Sequence, residues 1–220
     1  LAFYDLSAKK FQDKITKLKL IPLSSIFDLF PRLVRDIAQA TGKKINFILK
    51  GREVELDKVV VDKLKPILIH ILQNAVDHGC ETPEERKNNG KPEKGRIVLK
   101  ALNKGDNVII EISDDGYGLH VDQIRKKVIE KGLLSDDKVN KLPDDQIIPF
   151  IFTPGFSTKV VSIYSGRGIG MDVVSTTVKD LNGEISVSTI INKGTLFSIS
   201  LPLISSYIPV TVFSLSNNLY

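Results

Sequence analysis

Hydrophobic residues recur at helical spacing in several segments of the chain and alternate with polar residues in others. The helical spacing predicts helices over 5–20, 25–43, 57–78, 121–132 and 171–181, and a shorter one over 144–152. Pro31 should kink or split the second helix, and Pro66 should break the third or begin a new first turn within it. Alternation predicts a strand over 45–51 with 52–56 as its partner, and hairpins over 96–114 and 184–203.

Two segments carry neither pattern and are predicted to be loops. Residues 80–95 are polar with two prolines, and residues 153–168 are rich in Gly, Ser and Thr, with a length typical of lids and binding loops. Hairpins combined with several helices, without regular βαβ alternation, favour an α+β fold. We expect a two-layer α/β sandwich, with a mixed, mainly antiparallel sheet and helices packed on one face. This organisation argues against the doubly wound dinucleotide-binding fold.

The composition is that of an ordinary globular protein. Of the 220 residues, 42% are hydrophobic and 26% are charged, no apolar run approaches the ~18 residues of a membrane span, and no signal peptide is visible. The single cysteine, Cys80, is expected to be a packing residue and fits a reducing cytoplasm. The net charge of +5 comes from scattered lysines and arginines without interleaved aromatics, which predicts no nucleic-acid partner. The lack of a long apolar run predicts no direct membrane insertion.

The segment ILIHILQNAVDHG places His70, Asn74 and His78 four residues apart, on one face of a helix. Mg²⁺ takes one or two protein ligands together with substrate phosphates, and the Asn74 amide oxygen suits that role. His70 could ligate weakly, orient a reacting group or act as a base, and His78 could donate to a phosphate. A polar helix face that merely carries these residues is the alternative.

Two glycine-rich motifs follow. In DDGYG, Asp114 ends a strand, where a buried carboxylate would accept from the amino group of adenine and disfavour guanine; an ordinary Asp-Asp-Gly turn is the alternative. In GRGIGMDVV, glycines expose backbone N–H groups before a helix, an arrangement that binds phosphate. The loop FTPGFSTK adds hydroxyls, Lys159 and the aromatic anchors Phe152 and Phe156, which favours a lid over a mobile surface loop.

In this order, HILQNAVDHG, DDGYGL, FTPGFSTK, GRGIGMDVV and GTLFSISLPL resemble the ATP-binding domain of chemotaxis-type sensor histidine kinases, the CheA family. That family belongs to the GHKL or Bergerat group, with gyrase-, Hsp90- and MutL-type ATPases. The resemblance runs from about residue 20 to 203 and implies a Bergerat-type sandwich that binds ATP and Mg²⁺. Gln73 departs from it, because the family commonly has Arg there, and so does His120, where an acidic or amide residue is more usual.

The resemblance also implies roles for individual residues. Asn74 and His70 would be the catalytic and metal-site residues, with Asn74 as the Mg²⁺ ligand and His70 near the γ-phosphate. The remaining ATP-contacting residues would be His78, Asp114, Gly116, Gly118, Lys127, Ser157, Thr158, Lys159, Gly166, Arg167, Gly168, Gly170 and Thr195. The gyrase-like hydrolases carry a Glu one turn before the Asn, whereas a His in that place fits a kinase that passes phosphate to another histidine.

The resulting prediction is an ATP-dependent protein-histidine kinase catalytic domain that acts on a separate phosphoacceptor domain of the same parent protein. We expect residues 1–20 to end a preceding dimerisation-type helical region, 21–204 to form the catalytic domain, and 205–220 to begin a receptor-coupling domain. The parent would be a homodimer linked to a coupling protein and chemoreceptors, and the fragment a monomer. A gyrase- or Hsp90-like ATPase and a non-catalytic nucleotide-binding scaffold remain the alternatives.

Overall fold

The computed structural model describes residues 19–156 and 170–203, with the backbone of two short strands beyond them. The strands are β1 (Leu20–Pro22), β2 (Ile45–Lys50), β3 (Glu55–Asp57), β4 (Gly95–Lys104), β5 (Asn107–Asp114), β6 (Glu184–Ile190), β7 (Gly194–Pro202), β8 (Ser214–Leu215) and β9 (Asn218–Leu219). Five of them form one sheet in the order β2-β4-β5-β7-β6. Only the β2–β4 pair in this sheet is parallel, and the other three pairs are antiparallel.

The helices are α1 (Ser24–Phe27), α2 (Phe30–Ala40), α3 (Lys58–Asn74), α4 (Pro83–Asn88), α5 (Val121–Glu130), α6 (Asp136–Val139), α7 (Asp144–Ile147) and α8 (Met171–Asp180). A π-helical turn, Ala75–Gly79, continues α3, and a 3₁₀ turn, Ile148–Phe152, continues α7. Alternate residues of β4 and β5 are buried, and these join α1, α2, α3 and α8 in one hydrophobic core. The predicted two-layer sandwich, with a mainly antiparallel sheet and helices on one face, is therefore confirmed.

A second, smaller hydrophobic cluster lies outside the main core. It joins α5, α6 and α7 through the buried side chains of Ile124, Val128, Val139, Ile147 and Phe156. Arg125 ties these short helices together, because its guanidinium donates to the carbonyl oxygen of Leu142 at 2.7 Å and to the Asp144 carboxylate at 2.6 Å. This cluster places α5 beside the end of α3, where the candidate site lies.

The two prolines behave differently from each other. Pro31 splits its segment as predicted, since α1 ends before it and Pro31 occupies the first turn of α2. Pro66, in contrast, lies inside an uninterrupted α3, so the predicted break there is wrong. The leucines Leu64, Leu68 and Leu72 are all fully buried. Burial of each contributes roughly 1.5–3 kcal/mol, which outweighs the roughly 3 kcal/mol that an internal proline costs a helix.

The predicted pairing of 45–51 with 52–56 is also wrong. Strand β3 pairs with β1, whereas β2 pairs with β4 in parallel, a neighbour some fifty residues further on. The β1–β3 pair continues in a hydrogen bond of 2.8 Å from the Leu23 N–H to the Val54 carbonyl, and it buries Leu56 completely. Both hairpins, in contrast, form where they were predicted.

The segment 80–95 is not entirely a loop, because it contains α4. This helix begins with a capping box: the Thr82 hydroxyl accepts from the Glu85 N–H at 3.4 Å, and the Glu85 carboxylate accepts from the Thr82 N–H at 2.8 Å. Pro83 occupies the first turn, where its missing N–H is not needed. These two signals outweigh the high charge and absent periodicity of the segment, on which the loop prediction rested.

Other predictions fall partly or wholly outside the described residues. Residues 1–18 and 157–169 lie there, so most of the predicted 5–20 helix and of the 153–168 loop falls outside the described residues. At its described end the helix prediction is wrong, because Leu20 begins strand β1 and pairs with Asp57 of β3. In the C-terminal segment, β8 and β9 pair in antiparallel fashion. No helix within the described ranges is long and apolar enough to cross a membrane. Cys80 is fully buried, which raises the pKa of its thiol to about 12 and makes it a packing residue, as predicted.

Candidate functional site

The C-terminal end of α3 brings His70 and Asn74 into direct contact. The Asn74 Nδ2 lies 3.1 Å from the His70 Nε2, as the four-residue spacing predicts, and 3.6 Å from the Met171 sulfur. Burial lowers the pKa of His70; Asp172 opposes this effect and His78 adds to it. The imidazole is therefore neutral at neutral pH, and its Nε2 accepts from the Asn74 amide because an NH₂ group can only donate.

In this contact the amide nitrogen of Asn74 faces His70. With its nitrogen facing His70 and Met171, the Oδ1 oxygen is the group that can accept or ligate. Beyond Asn74 the helix widens into the π-helical turn, in which the Cys80 N–H donates to the Ala75 carbonyl at 2.8 Å. Lys43 caps this turn from outside, donating to the carbonyls of Val76 and Asp77 at 2.8 Å each. Such turns recur at functional sites, where they leave backbone groups and side chains displaced from the regular helix.

A cavity of about 260 Å³ opens between this end of α3, helices α5 and α8, and strands β5 and β7. Its polar lining includes Asn74, His78, Asp114, Lys127 and Thr195. Three of these, Asn74, Asp114 and Lys127, are charged or carboxamide-bearing groups on different elements. Apolar side chains complete the wall: Ala75, Leu119, Ile151, Phe156, Met171 and Phe197. A concave, mainly apolar cavity with a few convergent polar groups is the form that a small-molecule site takes.

Asp114 stands at the end of β5 with its carboxylate held by backbone donors. The Gly116 N–H donates to its Oδ1 at 2.9 Å, and the Thr195 N–H also donates to the carboxylate. Burial raises the pKa of Asp114 to about 6, more than these two hydrogen bonds lower it. At neutral pH the group is therefore an ionised, partly desolvated acceptor in the wall of the cavity, and it has a strong preference for a hydrogen-bond donor.

Two glycines of the DDGYG motif are required by close backbone approaches. A Cβ on Gly116 would lie 1.9 Å from the Gly79 carbonyl oxygen, so the turn can pass the end of α3 only without a side chain. Gly118 has φ +74°, and a Cβ there would lie 2.6 Å from the Ile190 carbonyl oxygen. The Tyr117 N–H donates to Gly79 at 2.8 Å, which locks the motif to the π-helical turn.

Lys127 and Gly170 approach the site from α5 and α8. The Lys127 ammonium lies 5.1 Å from the centre of the Phe156 ring, a cation–π contact beside the cavity that both residues line. Gly170 precedes the first turn of α8 as its N-terminal cap. A Cβ there would come within 2.2 Å of the Asp172 carboxylate, which also accepts from the Gly155 N–H at 3.3 Å.

The sequence-predicted residues thus fall into three groups. Asn74, His78, Asp114, Gly118, Lys127 and Thr195 line the cavity. His70, Gly116 and Gly170 do not line it, and they act on it through Asn74, Asp114 and α8. The remaining six lie outside the described residues: Ser157, Thr158, Lys159, Gly166, Arg167 and Gly168. In the described part of the chain no three His, Cys, Asp or Glu side chains are grouped as a metal cluster.

Gln73 does not reach the cavity. It is 6% exposed, within α3, and it is not a lining residue. The sequence analysis also missed Glu81, Arg86 and Lys91, which lie behind the DDGYG turn. Arg86 and Lys91 donate hydrogen bonds to this turn, and the Glu81 carboxylate accepts from Arg86. The capping-box spacing around Thr82 was the available signal for helix α4, which carries Arg86. Nothing in the sequence indicates that the Arg86 side chain is buried.

Comparison with known proteins identifies the family of the chain. The sequence model of the histidine kinase-, DNA gyrase B-, and HSP90-like ATPase family matches residues 59–205. The Chemotaxis protein CheA of Bacillus subtilis is 41% identical over 210 residues, which are 95% of this chain and 31% of that protein. The Chemotaxis protein CheA of Halobacterium salinarum is 43% identical over 200 residues, which are 90% of this chain and 30% of that protein.

Solved structures extend the comparison to the fold. The catalytic domain of histidine kinase ThkA superposes with a TM-score of 0.54 at 17% identity, covering 84% of this chain and 95% of that domain. The chain spans less than a third of the length of the two curated relatives. The chain therefore belongs to the histidine kinase-, DNA gyrase B-, and HSP90-like ATPase family and, within it, to the ATP-binding domains of the CheA family.

Proposed function

We propose that this domain binds Mg·ATP in the cavity and passes the γ-phosphoryl group to a histidine of a separate phosphoacceptor domain. The observation that carries the proposal is the cavity itself, which has the Asn74 amide, the Asp114 carboxylate and the Lys127 ammonium in its wall. These are a magnesium ligand, a base acceptor and a phosphate cation, the three kinds of group that a Mg·nucleotide needs.

Asp114 is the proposed adenine-recognising residue. Its carboxylate is ionised above a pKa of about 6 and is oriented by the Gly116 and Thr195 N–H groups, so that it accepts from the exocyclic amino group of adenine. Guanine would present a carbonyl oxygen there, and two facing acceptors repel each other. Selection of ATP over GTP therefore follows from one buried carboxylate, because a desolvated unpaired acceptor is costly.

Asn74 is the proposed Mg²⁺ ligand, through the oxygen that its contact with His70 leaves available. An amide oxygen is a hard donor, and Mg²⁺ commonly keeps waters and substrate phosphates in its other positions, so one protein ligand fits. When bound, Mg²⁺ would neutralise charge on the phosphates. Lys127 and His78, both in the cavity wall, would add cationic or donor contacts to the phosphates. Catalysis then consists mainly of positioning and charge stabilisation.

The state of His70 favours a kinase over a hydrolase. A hydrolase needs a base to activate water, yet the Nε2 of His70 already accepts from Asn74, and burial keeps the pKa of the imidazole low. The neutral ring then carries its proton on Nδ1. We propose that His70 acts near the γ-phosphate as a positioning group for Asn74, without activating water.

The wider assembly is proposed from the relatives, since the chain covers only part of their length. We propose a homodimeric, cytoplasmic parent with a phosphoacceptor domain, coupled to chemoreceptors through a coupling protein. Residues 1–20 would end its dimerisation region, 21–204 would be the catalytic domain, and 205–220 would begin the receptor-coupling domain. The lid over the triphosphate would include Ser157, Thr158, Lys159, Gly166, Arg167 and Gly168.

A transfer assay tests the proposed activity. The chain would be incubated with γ-labelled Mg·ATP, with and without the phosphoacceptor domain of its parent. Acid-labile, base-stable label on the acceptor is the expected result. Phosphate released at one rate regardless of acceptor would instead indicate an ATPase. Binding of ATP with neither label nor release, even after the dimerisation helices are restored, would indicate a non-catalytic scaffold.

A further inference from the structure

Four charged side chains meet behind the turn that follows Asp114: Glu81, Arg86, Lys91 and Asp115. The Glu81 carboxylate accepts from Arg86 Nη1 at 2.8 Å and from Lys91 Nζ at 2.5 Å. Glu81 is 1% exposed and Arg86 is 0% exposed. Two anions and two cations balance each other, which is the condition under which charges are retained in a protein interior.

The contacts of this cluster converge on the turn. Arg86 grips the Asp115 carboxylate with both terminal nitrogens, at 3.0 Å and 2.8 Å, in a bidentate pair. Lys91 Nζ donates to the backbone carbonyls of Asp115 at 2.9 Å and Gly116 at 2.8 Å. The Arg96 N–H donates to the same Asp115 carboxylate at 2.8 Å from the sheet side. The turn is thus held by charge-assisted bonds from one side and by the sheet from the other.

One peptide unit connects the cluster to the cavity. The Asp115 carbonyl that accepts from Lys91 and the Gly116 N–H that donates to the Asp114 carboxylate at 2.9 Å belong to the same planar peptide. Fixing the oxygen of this peptide therefore fixes the direction of its N–H. That direction determines how the Asp114 carboxylate is oriented toward the cavity.

We propose that Lys91 and Arg86 are positioning residues for recognition of the nucleotide base, acting through the Asp115–Gly116 peptide on Asp114. The inference rests on the proposed function, in which Asp114 accepts from adenine. A buried ion cluster is weak grounds for a role in stability alone, because apolar replacements are often equally stable. Its contacts with this one turn instead give it a role in base selectivity.

The test compares ATP and GTP binding by calorimetric titration of the whole chain. Lys91→Met keeps the apolar stem and removes the three donated bonds. It should lower the ratio of ATP to GTP affinity about tenfold, the effect of one well-placed hydrogen bond. Lys91→Arg, which retains donors, should keep most of the selectivity. The matched control is Lys44→Met, since Lys44 makes an exposed ion pair with Glu93 and is 54% exposed in its side chain.

The ratio of ATP to GTP affinity separates a positioning role from a structural one, because general destabilisation of the protein weakens the binding of both nucleotides equally. An unchanged ratio in Lys91→Met, with wild-type selectivity intact, would overturn the inference and leave the proposed function standing. A wild-type chain that binds ATP no better than GTP would overturn the proposed base recognition itself. If Lys91→Met does not fold, Lys91→Gln removes the charge with less disturbance and is held to the same ratio.

Discussion

Replacing Asp114 by Asn removes a buried charge while keeping the size of the side chain. Burial raises the pKa of Asp114 from its ordinary value of 3.8 to about 6. At about 1.4 kcal/mol per pKa unit, keeping this carboxylate ionised costs the folded protein about 3 kcal/mol at neutral pH. Because the pKa is higher in the folded state, this penalty is fully present above about 6 and disappears as the pH falls toward 3.8.

The uncharged Asn side chain escapes this penalty at every pH. Its NH₂ group would face one of the two backbone donors, Gly116 or Thr195. This unfavourable contact between two donors would lower the free energy of unfolding by an amount that does not depend on pH. The sharp prediction is therefore a pH dependence. The free energy of unfolding of Asp114→Asn, minus that of the wild type, should fall by about 1.4 kcal/mol between about pH 7.5 and about pH 5.

Urea denaturation of both proteins at several pH values measures this difference, since all other titrating groups cancel. Asp106→Asn is the matched control, because Asp106 is an exposed carboxylate in the β4–β5 turn. A difference between Asp114→Asn and the wild type that is constant across the pH range would refute the reasoning. ATP affinity of Asp114→Asn should drop roughly ten- to a hundredfold, and a loss no larger than that of Asp106→Asn would remove the adenine role.

Two further predictions concern the end of α3. Asn74→Ala should abolish the Mg²⁺ dependence of ATP binding, because the amide oxygen is lost. Titrations with and without Mg²⁺ measure this dependence, and Asn103→Ala, at the exposed end of β4, is the control. An unchanged dependence in Asn74→Ala would remove the metal assignment. His70→Ala should reduce the rate of phosphoryl transfer at saturating ATP, roughly ten- to a hundredfold, more than it weakens ATP binding. Equal losses in the two measurements would mean that His70 serves binding alone.

The parts of the fold that could be predicted from the sequence are those set by local spacing. The hairpins 96–114 and 184–203 have alternating strands and a short turn, so that partner and register follow from neighbours in the chain. The partner of β2 is some fifty residues away, across α3, and nothing in its own alternation distinguishes β4 from the nearer 52–56. Strand pairing across long connections depends on the whole core, which a local pattern does not contain.

The candidate site was predictable to a similar extent and for a related reason. His70 and Asn74 touch because helical geometry places residues four apart together. The position of Asp114 at the end of a strand could also be predicted from the sequence. Its raised pKa could not, because that depends on burial by Gly79, Thr195 and the other residues of the cavity wall. The burial of Arg86 could not be predicted from the sequence, because arginine side chains are ordinarily exposed.

The cost of Asp114 in the free protein and its proposed value in binding have one physical origin. A carboxylate that had stayed in water would have a normal pKa, and it would gain little from an amino group because water already satisfies it. Burial removes the competing water, so the amino group of a bound adenine would replace a hydrogen bond to water that the carboxylate loses on folding. The fully paired cluster of Glu81, Arg86, Lys91 and Asp115 behind the turn is consistent with this arrangement. The charges of this cluster neutralise one another within the fold, whereas the Asp114 carboxylate faces the cavity with a charge that the proposed ligand would use.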